Sequence, residues 1–85
     1  MAGNEKKFSK DVENAVKPWS NERESFHEDG GFVIKIIIKN AIEWAEKNPD
    51  IWKALEKVSK DWGAILDDSG VQEYQISIPA DKKKL

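Results

Sequence analysis

The chain of 85 residues contains no cysteine, and one histidine, one methionine and one tyrosine. Without cysteine there is no disulfide framework and no thiolate to act as nucleophile or metal ligand. A lone histidine, His27, cannot supply the two imidazoles of an H-E-x-x-H zinc helix. Long apolar runs are missing too. The longest uninterrupted run, Ile36-Ile37-Ile38, is three residues, far short of the roughly 20 that a membrane-spanning helix requires. The N-terminus, MAGNEKKFSKD, has no continuous apolar segment behind its lysines, so no secretory signal and no membrane partner are expected. A cytoplasmic setting is the default expectation.

A dominant charge of one sign is also lacking. Lysine and arginine total 14 against 16 aspartates and glutamates, and no long segment collects either sign. Affinity for a nucleic-acid backbone needs clustered positive charge, which this distribution does not supply. The short run Lys82-Lys83-Lys84 reads as a solvated tail. Gly30-Gly31 lacks the further glycines and the lysine of a phosphate loop. The residues upstream of that pair do not support leader cleavage either, so it reads as a hinge or an element boundary.

What is present describes one small domain. Hydrophobic residues make up 39% and charged residues 35%, a globular balance. A chain of this size hides roughly 60–65% of its unfolded surface, so the core is thin. With no covalent staple, a partner or self-association would add stability.

In FSKDVENAVKPW, Phe8, Val12, Ala15 or Val16, and Trp19 share one helical face, with Ser9 a candidate cap and Pro18 a stop. Ser20 can begin a second short turn. Residues 1–31 are weakly hydrophobic and read as a helical N-terminal arm, 32–78 as the core, and 79–85 as a polar flexible tail. The clearest helix is PDIWKALEKVSKDWGAIL, where Ile51, Leu55, Val58, Trp62 and Ile65 repeat at spacings of four and three. Asn48 and Pro49 suit its cap and first position, and Asp67-Asp68-Ser69-Gly70 its stop. VQEYQISI alternates and ends at Pro79, the pattern of a half-buried strand at a sheet edge.

Residues 32–47 permit two readings. As a helix they place Lys35, Lys39, Glu43 and Glu46 on one polar stripe that passes Asn40 without a break. As a strand, FVIKIIIK is dense in β-branched residues, Asn40 and Glu43 cap a following helix, and 71–78 gains a partner. The helical stripe is the longer pattern and takes precedence. The expected fold is therefore mainly α, three to four helices with a C-terminal edge strand. The alternative is α+β, with strands 32–38 and 71–78 paired around two helices.

Candidate chemistry is sparse. Glu24, His27 and Glu28 would share a face of a helix and offer three ligands, but surface acids near a histidine are common. Asp67-Asp68 suits turn chemistry. No cofactor, metal, catalytic residue or small-molecule substrate is expected, and the chain is read as not an enzyme. The unusual count is four tryptophans. Large rings fill small cores, but Trp19 and Trp52 could also anchor a partner. Together these features predict a non-catalytic protein-binding or regulatory module. It would bind another protein, or itself, through Trp19, Trp52 and the edge-strand residues Tyr74, Ile76 and Ile78. Alternatives are a small DNA-associated regulator with a helix-turn-helix at Asn48-Pro49, and an accessory subunit of a larger enzyme complex.

Overall fold

The computed structural model describes residues 2–80. Two helices, α1 (Ala2–Val16) and α2 (Ala41–Trp62), and four strands, β1 (Asn21–Glu28), β2 (Gly31–Ile38), β3 (Ile65–Gly70) and β4 (Glu73–Ile78), follow in the order α1-β1-β2-α2-β3-β4. The strands form one antiparallel sheet, ordered β1-β2-β4-β3. This is an α+β domain, and the mainly α expectation is overturned.

Residues 32–38 are a strand because both sides of the segment find a partner. Asp29 (φ 52°) and Gly30 (φ 79°) form a two-residue turn with positive φ at both central positions, the geometry an Asp-Gly pair favours in hairpins. That turn folds β1 onto β2, from Glu28 opposite Gly31 to Asn21 opposite Ile38. On its other side β2 pairs with β4, from Phe32 opposite Ile78 to Ile37 opposite Glu73. A central strand tolerates a near-continuous apolar run, since much of both faces can be covered. The helical stripe through Lys35, Lys39, Glu43 and Glu46 is a coincidence of spacing that crosses the boundary between two elements. Asn40 sits at that boundary in an extended conformation, and its side chain accepts from the Glu43 N–H at 2.9 Å, capping α2.

The pairing of 32–38 with 71–78 in the α+β alternative is present, but that alternative lacked β1 and β3 and divided α2. α2 continues through Asn48-Pro49 without a corner, so the geometry required by a helix-turn-helix there does not exist. Its end comes at Gly63 (φ 62°), where Ala64 N–H donates to Ser59 O at 2.8 Å and Gly63 N–H to Lys60 O at 3.5 Å. This left-handed C-terminal motif releases Ile65 and Leu66 into β3 rather than into the helical stripe. β4 lies between β2 and β3 and is not an edge strand, so the ladder proposed for strand addition is already satisfied on both sides.

Both helices lie on one face of the sheet. Phe8, Val12 and Val16 of α1 and Ile51, Leu55 and Val58 of α2 pack on Phe32, Ile34, Ile36, Ile38, Tyr74, Ile76 and Ile78. Within residues 1–31, α1 supplies three fully buried side chains and β1 a strand. The second short helical turn expected after Ser20 is instead β1, whose charged residues give it little periodic signal. Lys82-Lys83-Lys84 and most of the expected tail 79–85 lie outside the described residues.

Candidate functional site

Tyr74, Ile76 and Ile78 point towards the helices and are buried, with at most 2% exposure; they offer no surface to a partner. Trp19 is half-buried against the core. The Asn21 side-chain amide ties the bend there, donating to Val16 O at 3.1 Å and Trp19 O at 2.6 Å. Trp52 is half-buried, with its ring centroid 6.2 Å from that of Tyr74. It walls a shallow cavity of about 520 Å³ with Asn48, Pro49, Lys53, Glu56 and Asp68. The other two indoles tie α2 to its neighbours, Trp44 to the sheet and Trp62 to α1. Trp44 Nε1 donates to the Tyr74 hydroxyl at 2.9 Å, and Trp62 Nε1 donates to Asp11 Oδ2 at 2.7 Å.

The Tyr74 hydroxyl in turn donates to Asn48 Oδ1. Burial is the main reason its phenol stays above the ordinary value of 10.0. The Trp44 hydrogen bond opposes that rise and the Asp68 carboxylate adds to it.

The acidic sets noted in the sequence come apart. Strand alternation puts His27 on the helix side of β1, where its Nε2 meets the Glu5 carboxylate at 3.0 and 3.1 Å, while Glu24 and Glu28 point to the opposite face. Asp67 and Asp68 also diverge, Asp68 towards Trp52 and Tyr74, Asp67 away. Among the described residues, no group of three or more His, Cys, Asp or Glu side chains is placed to hold a metal ion. No described helix is long and apolar enough to cross a membrane.

The surface that sequence reasoning missed is the second face of the sheet. Residues directly opposite one another in an antiparallel sheet share a face, so the register defines three rows across it. One row is Phe26, Val33, Ser77 and Ile65; the next is Glu24, Lys35, Gln75 and Asp67; the third is Glu22, Ile37 and Glu73, ending at Gly70. Among the described residues no helix covers this face. Ile37 is 36% and Ile65 51% exposed, and Phe26 is half-exposed at the rim. At one end Val33, Ile65 and Ser77 line a depression of about 200 Å³ bordered by Pro79 and Ala80. From the middle row, Lys35 Nζ reaches Glu73 Oε2 in the third row at 3.7 Å. Only the Asp-Gly turn before GFVIKIII could have shown this face from sequence, because it converts β1 from a helical turn into a strand.

The chain is thus a small globular α+β domain with no group placed to hold a metal ion among its described residues and with an exposed apolar and aromatic surface. No protein-family model matches it, and the search of curated proteins finds no match.

Proposed function

We propose that this chain is a non-catalytic protein-binding domain, a regulator or accessory subunit that acts by covering a partner's surface. Its docking face is the bare side of the sheet. One observation supports this reading above the others: the helices protect one face only, while Phe26, Ile37 and Ile65 stand on the other around a buried Val33. Strands of an antiparallel sheet ordinarily alternate apolar-in and polar-out, which leaves the solvated face polar, and an apolar face beyond what solubility needs marks an interaction surface. The side-chain inventory favours binding over catalysis. The Ser59 hydroxyl donates to Ala64 O at 2.7 Å and the Ser69 hydroxyl to Glu73 at 2.9 Å, so neither is a free nucleophile.

A photo-crosslinking amino acid tests the surface. Placed at Gln75, in the middle of the bare face, it is expected to capture a protein in extract from the native source. Placed at Lys57, exposed on α2, it is expected to capture none. Equal capture from both positions, or from Lys57 alone, would remove the bare face from this role. A third position at Lys53 reports on the Trp52 cavity. The identity of the captured protein separates a regulator from an enzyme subunit.

A further inference from the structure

Resting on the reading of the bare face as a docking face, we infer that its partner is a basic protein surface in which lysine or arginine alternates with apolar side chains.

The charge of the molecule is distributed unevenly in three dimensions although it is even along the chain. Residues 2–80 hold fifteen acidic and eleven basic side chains. Five of the acids, Glu22, Glu24, Glu28, Asp67 and Glu73, and one of the bases, Lys35, stand on the bare face. Elsewhere the described residues carry ten of each, so the whole excess of negative charge belongs to this face. Lys35 is spoken for by Glu73. Among the described residues the side chains of Glu22, Glu24, Glu28 and Asp67 have no ion pair.

Apolar and acidic side chains alternate on this surface. Phe26 stands between Glu24 and Glu28 on its strand, Ile37 between Glu22 and Glu73 across strands, and Ile65 two residues before Asp67. A long basic side chain suits that spacing, since its methylene stem lies on Phe26 or Ile37 while its head reaches the neighbouring carboxylate. Nucleic acids and anionic membranes would meet like charge here. So would a second copy in face-to-face symmetry, because an isologous contact sets the same patch against itself. Charge complementarity selects a basic protein partner and would also speed its encounter.

The test uses the full chain, ¹⁵N-labelled, titrated with a synthetic peptide alternating lysine and leucine. Its controls are the glutamate–leucine and lysine–serine counterparts. Saturable shifts are expected at the amides of Phe26, Val33, Lys35, Ile37 and Gln75 with the lysine–leucine peptide alone, weakening as salt rises. The combined variant Glu22→Lys, Glu24→Lys, Asp67→Lys, checked for an unchanged circular dichroism spectrum, is expected to weaken binding by about tenfold or more. If that variant misfolds, Glu24→Gln with Asp67→Asn carries the same test.

Shifts on the backs of the helices, or equal binding by the glutamate–leucine peptide or by the charge-altered variant, would overturn the inference. Dimerisation of the chain alone through this face, seen by sedimentation and abolished by Ile37→Asp, would also overturn it, replacing the basic partner with a second copy and leaving the docking face in place. Absence of any peptide response would overturn the basic partner, and capture from Gln75 would then show that docking itself survives. Failure of both experiments would remove the docking face as well.

Discussion

Gly31 and Tyr74 show how single residues hold the sheet together from opposite sides. Gly31 faces the bare side at the point where β2 leaves the hairpin. A Cβ there would stand 2.7 Å from the Ile78 carbonyl oxygen and 3.4 Å from Pro79 Cα. Because the obstacle is backbone, Gly31→Ala forces β4 to shift; a loss of about 1–3 kcal/mol is expected, read as a lower urea midpoint. Tyr74, on the helix side, accepts from Trp44 and donates to Asn48. Tyr74→Phe strands both partners and is expected to destabilise by about 1–3 kcal/mol. Its acid–base behaviour has a definite sign. The folded state holds the phenol above its ordinary value of 10.0, so it retains the proton longer than the unfolded chain does. The associated stability is fully present below pH 10.0 and is lost as pH rises through the folded-state value. With one tyrosine in the chain, its ultraviolet titration is expected to shift upward in native protein and to return to the ordinary value in denaturant. Coincident curves in the two states would contradict the burial argument.

At the scale of elements, α2 carries the clearest conflict between local preference and fold. Pro49 lies inside the helix, where it cannot donate to the Ala45 carbonyl and disfavours helical geometry in the residue before it. Packing overrides the local preference: Ile51, Leu55 and Val58 are buried beyond it, and Trp44 and Asn48 before it are tied to Tyr74. Pro49→Ala is therefore expected to stabilise the domain by about 1–3 kcal/mol, less whatever proline contributes by stiffening the unfolded chain. Calorimetry would read this as a rise of several degrees in Tm; a fall would mean that the ring packs in the Trp52 cavity strongly enough to offset the lost hydrogen bond. The edges of the sheet are handled differently. β1 is charged on both faces, with Glu22, Glu24 and Glu28 on the bare one and Arg23 on the helix one, and β3 breaks register between Asp68 and Gly70. Charge and bulge both discourage a further strand, which leaves the bare face, rather than an edge, as the available surface.

The described residues form a two-layer structure with their negative excess on one side. Mutual repulsion of the bare-face carboxylates opposes folding, and salt screens it over roughly 8–10 Å at ordinary ionic strength. Thermal stability is expected to rise between low salt and a few tenths molar; the combined Glu24→Gln, Asp67→Asn variant is expected to lose most of that dependence. The amino-acid sequence determined a good part of this outcome through local pattern alone. Spacings of three and four identify Phe8, Val12 and Val16, then Ile51, Leu55 and Val58, as the buried faces of helices. Alternation identifies Tyr74, Ile76 and Ile78 as one face of a strand, and Asn40 with Glu43 marks a cap. Local pattern could not decide which of two periodicities FVIKIIIK obeys, because three and four residues along a helix and two along a strand both fit so short a run. Nor could it place VQEYQISI at an edge or in the centre. Those choices depend on β1 and β3, two strands whose charged residues suppress their own signal and which exist because hairpins bring them against partners. The bare acidic face belongs to the same class: its carboxylates come from β1, β3 and β4, which lie far apart in the chain, and only antiparallel register sets them side by side.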